Sequence, residues 1–242
     1  MTATEPTAAR DQPRFRPWLY DLVRGVIRFL FLTLSHPCVS GSERCPKQGP
    51  AILAINHLSY FDGPMVLAML PRRVRPMAAE RLRRQWFFGP VMVATGAVFI
   101  HRDQMDRSAM RALLAVLAGG GCVAVAIEGT RSPDGILRQG KNGVAYLAAK
   151  SGVPLIPAAV WGTENIWPAW KRLRRAEVNL SLGAPITLAS QELDVSTLDE
   201  TTRGIMSCIA ALLPPRYLPE TGPGGKDSPG GAKVTDCGHE PS

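Results

Sequence analysis

Short strand-like runs, each four to six residues long and set between longer stretches of helical periodicity, constrain this chain more than any other feature. They are Ala51–Ile55, Ala97–Ile100, Cys122–Ile127, Leu155–Val160 and Val178–Leu182. Several are apolar throughout. A strand with one buried face alternates apolar and polar residues, because successive side chains point to opposite faces. Unbroken apolar runs therefore predict strands covered on both faces, as in parallel sheets. Helical periodicity falls near residues 63–70, 82–94, 105–118, 142–151 and 191–212. This alternation predicts a single α/β domain with a largely parallel central sheet flanked by helices. In such sheets chemistry gathers at the carboxyl ends of the strands.

The flanks differ in composition. Residues 1–16 are polar and proline-rich, and residues 214–242 contain Pro-Pro and two Gly-Gly pairs; both segments are expected to be disordered. Residues 38–213 then form the folded domain, long and apolar enough to bury one core. The opening segment carries Glu5 and Asp11 and has no apolar run behind its first charges, unlike a secretory signal. Five cysteines, an odd count with no C-x-x-C pair, fit a reducing compartment. The expected location is the cytoplasmic face of a membrane, as a peripheral protein.

Residues 17–37 are the reason for invoking a membrane. At 100° per residue, Leu19, Leu22, Val23, Val26, Ile27, Leu30 and Leu34 form one stripe, opposite Asp21, Arg24 and Arg28. A spanning helix needs about 20 predominantly apolar residues, and central charges cost more than the aliphatic residues gain. An interfacial helix follows, with Trp18 and Tyr20 at headgroup level and Arg24 and Arg28 facing anionic lipid. Packing of the same stripe on the protein's own core stays open as the alternative.

The formal net charge of +8 calls for an anionic partner: nucleic acid, an acidic membrane surface or a phosphorylated substrate. Cations cluster at Arg72, Arg73 and Arg75, at Arg81, Arg83 and Arg84, and at Lys171, Arg172, Arg174 and Arg175. No nucleic-acid fold signature accompanies them, so no nucleic-acid partner is expected.

Three strand ends carry chemistry. The run 51–55 leads into Asn56-His57-Leu58-Ser59-Tyr60-Phe61-Asp62, and a helix opening with Gly63-Pro64 follows. On an ideal helix, a spacing of five would put His57 and Asp62 about 140° apart. They can meet only if a tight strand-to-helix turn folds the aspartate back. If they do, Asp62 accepts the Nδ1 proton of His57 and fixes the tautomer, leaving Nε2 to act as a base. The bland reading makes Asp62 a helix cap and His57 a satisfied polar residue. The run 97–100 ends near Arg102, and the run 122–127 ends at Glu128-Gly-Thr-Arg-Ser132. There Gly129 lets the backbone approach a ligand, and Arg131 can grip a phosphate with two hydrogen bonds. Val153-Pro-Leu-Ile-Pro157 opens the next strand.

The order N-H-x-S-x-x-D, G-x-x-F-I-x-R, E-G-T-R, V-P-x-I-P over residues 45–185 resembles the glycerolipid acyltransferases, the 1-acylglycerol-3-phosphate acyltransferase family. That resemblance implies an α/β acyltransferase fold, His57 as base and Asp62 as its orienting partner. It implies that Arg102, Glu128, Gly129, Thr130 and Arg131 shape the acceptor-phosphate site, and that Val153–Pro157 lines the acyl region. It further implies a lysophosphatidate or related lyso-lipid acceptor, acyl-CoA or acyl-carrier protein as co-substrate, and no metal or other cofactor. Two motif positions depart from the family pattern. Ala126-Ile127 stands where Phe-Pro is common, and Gln139-Gly-Lys-Asn-Gly143 where Phe-Lys-x-Gly is common; Lys141 can still supply the cation.

Three other readings compete. Gly135–Lys141 matches a nucleotide-binding G-x-x-x-x-G-K loop, but Asn142 replaces the required Ser or Thr. A serine hydrolase would need G-x-S-x-G, which is absent. A basic membrane-binding module without catalysis would explain the charge but leave the motifs unused.

Overall fold

The computed structural model describes residues 15–86, 88–100, 107–188 and 194–219. Helix α1 spans Pro17–Leu34, followed by β1 (Ser35–Ser40), β2 (Ala51–Ile55), α2 (Asp62–Met69), β3 (Arg75–Ala79), α3 (Glu80–Arg83) and α4 (Phe88–Ala94). Then come β4 (Val98–Ile100), α5 (Arg107–Ala118), β5 (Cys122–Ala126), α6 (Gly143–Ser151), β6 (Leu155–Trp161), α7 (Ile166–Lys171), β7 (Ala176–Leu182) and α8 (Val195–Leu212).

The strands form one sheet in the order β1-β7-β6-β2-β5-β3-β4. The neighbours from β6 to β4 are parallel; β7 runs antiparallel to β6, and β1 is parallel to β7. The expected fold class holds. Along β2 the side chains divide between two cores. Leu53 and Ile55 join Tyr20, Phe31, Met65 and Ile166 on one face, and Ile52 and Ala54 join Leu113, Leu147, Ile205 and Ile209 on the other. This double burial is the physical reason the run 51–55 is apolar at every position.

Two strands, β1 and β3, lie outside the five apolar runs. β1 reads Ser-His-Pro-Cys-Val-Ser, because an edge strand needs few apolar residues. β3 begins with Arg75 and Pro76, yet the Arg75 charge is accommodated in place: its Nε donates to the Gly96 carbonyl at 2.7 Å and its guanidinium lies over the Phe15 ring. The helix expected over 82–94 is two helices. Their close approach depends on Gly89, where a Cβ would sit 2.3 Å from the Arg83 carbonyl oxygen.

Helix α1 corrects the interfacial picture in part. Its polar face is used internally. Arg24 Nε donates to the Leu67 carbonyl at 3.1 Å and its Nη2 to that of Leu70, while Arg28 Nη1 reaches the Ala68 carbonyl at 3.2 Å. These are the orphan carbonyls at the end of α2, where cations also meet the negative end of the helix dipole. Both arginines are thus tied to the end of α2, Arg24 half-buried there and Arg28 still exposed. Tyr20 does not sit at headgroup level: it is buried, its hydroxyl donating to the Val74 carbonyl and accepting from the Val74 amide. The apolar face is the one left outside, with Trp18, Leu22, Val26, Phe29, Leu30, Leu32 and Leu34 exposed. Leu19, Val23 and Ile27 are half-buried at its margin. Among the described residues no helix is long and apolar enough to cross a membrane.

The tail from Pro214, expected to be disordered, begins with a structured turn. Pro215–Tyr217 form a 3-10 turn, Tyr217 is buried, and its carbonyl accepts from the Leu137 amide at 2.7 Å. Residues 1–14 and 220–242 lie outside the described residues.

Candidate active site

The site begins where β2 ends. Asn56 is buried, and its amide both donates to the Val160 carbonyl (2.8 Å) and accepts from the Val160 amide (2.7 Å). That pair extends the β2–β6 junction with a side chain and frees the following backbone to turn. Five residues after His57, Asp62 opens α2, and the turn folds it back: His57 Nδ1 lies 2.8 Å from Asp62 Oδ2. The same oxygen accepts from the amides of Leu58 (2.7 Å) and Ser59 (2.8 Å). Asp62 Oδ1 accepts from the hydroxyl of Thr163. Donors thus surround a carboxylate with no solvent exposure, which would be costly to bury unpaired. With the Nδ1 proton directed at Asp62, His57 Nε2 keeps its lone pair. The imidazole is 21% exposed, open to a substrate.

The Glu128–Ser132 loop follows β5, the neighbour of β2, and grips His57 by its backbone. Glu128 Oε1 accepts from the His57 amide at 2.8 Å, and the Ser132 amide donates to the His57 carbonyl at 2.8 Å. Glu128 Oε2 accepts from the Arg138 amide at 3.1 Å. Glu128 is 1% exposed, and burial pushes its carboxyl pKa up, opposed by these two amides. Both oxygens are therefore occupied by the protein.

Gly129 has φ +69°, and a Cβ there would meet the Lys141 side chain at 2.9 Å. The glycine lets Lys141 lie across the loop, so the lysine is brought to the motif despite the altered residues around it. Arg131 stacks its guanidinium 3.6 Å from the centroid of Tyr60, and Tyr60 stacks on Phe88. Thr130 is exposed beside it. Arg102 lies outside the described residues, beyond the end of β4. The Val153–Pro157 block does not reach this edge: Leu155 pairs with Ile52 and Pro157 with Ala54, and both Leu155 and Ile156 are fully buried in the core. In this structure those two side chains do not line a substrate site.

Ser59 is occupied by the turn. Its hydroxyl donates to the Thr163 carbonyl and accepts from the Phe61 amide. Asn142 binds Asp199 and Thr202, so the apparent nucleotide loop has its terminal position committed elsewhere.

No sequence pattern marks Thr163. It lies 101 residues from Asp62 and belongs to no recognisable motif. Gly162, at φ +82°, makes the turn that delivers it. Thr163→Val should leave Asp62 Oδ1 without its hydroxyl donor, at a cost of about 1–3 kcal/mol shared between stability and catalysis. We expect a lower kcat with little change in KM, restored by Thr163→Ser. An unchanged kcat and pH–rate profile in the valine variant would reduce Thr163 to packing.

The family model described as Acyltransferase matches residues 36–161, just over half of the chain. The chain belongs to the Acyltransferase family. The matched stretch contains His57, Asp62, Arg102, Glu128–Arg131 and Lys141, and stops short of Thr163. Among similar acyltransferases, a 1-acyl-sn-glycerol-3-phosphate acyltransferase of Borreliella burgdorferi is 28% identical over 131 residues, 53% of this chain and 52% of that protein. The human protein named 1-acyl-sn-glycerol-3-phosphate acyltransferase beta is 30% identical over 125 residues, 49% of this chain and 44% of its own length. The chain thus spans about half the length of the curated relatives it matches. The crystal structure of the 1-acyl-sn-glycerophosphate (LPA) acyltransferase PlsC from Thermotoga maritima superposes with a TM-score of 0.63 at 26% identity, covering 80% of this chain and 79% of that one.

Proposed function

We propose that this Acyltransferase family member moves a fatty acyl group from acyl-CoA or acyl-carrier protein to the free hydroxyl of lysophosphatidate, in phospholipid biosynthesis. The observation that carries this reading is the buried Asp62 carboxylate bonded to Nδ1 of a solvent-accessible His57. Nε2 takes the proton of the acceptor hydroxyl as its oxygen attacks the thioester carbonyl carbon. The tetrahedral intermediate collapses, the carbon–sulfur bond breaks, and the thiolate leaves with the proton held by His57. Asp62 stabilises the imidazolium in between. Atoms balance with the thioester as sole co-substrate and with no protein nucleophile, which agrees with the engagement of Ser59 within its own turn.

Arg131 and Lys141, both on the Glu128 side of the histidine, are the cations for the acceptor phosphate, with Arg102 as their expected partner. Glu128 acts on substrate only through His57, because both its oxygens hold backbone amides. The outward apolar face of α1 lies in the interfacial region of an anionic membrane, on the cytoplasmic side, from which the acceptor is drawn.

The test is incubation of the purified full chain with acyl-CoA or acyl-carrier protein and a panel of lyso-lipids, with products identified by mass spectrometry. Phosphatidate as main product is the expected result. Another acylated lipid would move the acceptor, and no transfer to any lipid would overturn the activity. In the same assay Arg131→Ala should raise the acceptor KM by about 10- to 150-fold, as for loss of a charged hydrogen bond worth about 1.5–3 kcal/mol, and leave the donor KM near wild type. An unchanged acceptor KM would assign Arg131 to its stack on Tyr60.

A further inference from the structure

Helix α7 ends in an unusual way. The Arg174 amide donates to the Ala169 carbonyl at 2.9 Å and the Leu173 amide to the Trp170 carbonyl at 3.0 Å. This is the paired closure of a helix C-terminus that places its next residue in the left-handed region, where glycine is usual. Here that residue is Leu173, at φ +51°, the one non-glycine among the described residues with positive φ. Its side chain gains nothing inside the fold, being 98% exposed. A leucine with a steric penalty and no internal contact points to a use outside the molecule.

The surroundings say what kind. Trp167 is 56% exposed, with the Lys171 ammonium 5.7 Å from its ring centroid. Residues 166–175 carry Lys171, Arg172, Arg174 and Arg175 and no acidic residue, and all of 171–175 are exposed. The segment is tied to the end of α1: Trp170 Nε1 donates to the Leu34 carbonyl at 2.8 Å, and Arg175 donates to the carbonyls of Leu32 and Ser35. It is equally tied to the site. Trp170 packs edge-on against Phe61, and the turn Thr163–Asn165 runs directly into α7.

We propose that α7 and the loop to Arg175 form a second membrane contact, with Trp167 and Leu173 in the interfacial layer of an anionic bilayer and Lys171, Arg172 and Arg174 on its phosphates. This rests on the reading of α1 as interfacial and extends it. Two exposed apolar side chains on one short, wholly cationic segment match the bilayer, which offers an anionic plane above an apolar interior. One helix alone leaves the protein free to roll about its axis. A second contact beside the catalytic turn removes that freedom and turns the His57 edge toward the lipid.

Leu173→Gly is the decisive variant, because glycine relaxes the backbone while removing the side chain. Its melting temperature should equal or exceed that of the wild type. Sedimentation of the full chain with vesicles containing phosphatidylglycerol should show about three- to tenfold weaker partitioning, with little binding of either protein to pure phosphatidylcholine. Transfer to a bilayer-embedded acceptor should fall in parallel, while transfer to a short-chain acceptor in solution persists. Phe29→Asp on α1 is run alongside. If Phe29→Asp weakens binding and Leu173→Gly does not, this second contact is overturned and the α1 reading stands. If neither weakens binding, both fail. A lower melting temperature in Leu173→Gly would assign the leucine to stability and overturn the proposal.

Discussion

His57→Ala should lower kcat/KM for acyl transfer by about 10²–10⁴-fold, the usual worth of a positioned general base, without unfolding the protein. The structure supports the second half of that expectation. What the fold takes from His57 is mostly backbone: its amide donates to Glu128 and its carbonyl accepts from Ser132, and alanine keeps both. The lost side chain is partly exposed and fills no core. Transfer rates and a thermal melt on the same preparation decide it; a folded variant with near-normal turnover would remove His57 from the mechanism.

Asp62→Asn should be nearly as severe, by about 10²–10⁴-fold in kcat, for a different reason. The amides of Leu58 and Ser59 both point at the Oδ2 position, so the asparagine oxygen must occupy it. His57 then still donates its Nδ1 proton, and the Thr163 hydroxyl can turn to accept from the new amide group. Hydrogen bonding survives while the negative charge opposite the imidazolium is lost. Asp62→Ala, by contrast, should destabilise the fold, since each buried donor left unmet costs about 1–3 kcal/mol. Slow but folded for asparagine, and poorly folded for alanine, is the expected pattern in paired activity and melting measurements. Wild-type turnover in the asparagine variant would show that the charge is not used.

The reach of sequence reasoning differs element by element. Fully buried strands such as β2 and β5 were legible because burial on both faces demands unbroken apolar residues. β1 and β3 were not, because one lies at an edge and the other hides a cation satisfied by Gly96 and Phe15. The apolar stripe of α1 was legible as a stripe, but its direction was not. Amphipathicity states that two faces differ, and only the neighbours say which face is covered. Here the carbonyls at the end of α2 claim Arg24 and Arg28, so the apolar side turns out.

For the site, the sequence by itself determined the chemistry available: a histidine and an aspartate in one short turn, and a glutamate and arginine in another, each directly after a buried strand. Local spacing suffices for that, since the strand ends and the turns are set within a few residues. Only the tertiary structure decided what each group does. Parallel pairing of β2 with β5 sets the two turns side by side, so that Glu128 spends its carboxylate on the His57 and Arg138 amides and Arg131 stacks on Tyr60. The bond from Thr163 to Asp62 joins residues 101 apart in the chain. A hydroxyl carries no pattern of its own in a sequence, and its partner is chosen by where the sheet returns the chain.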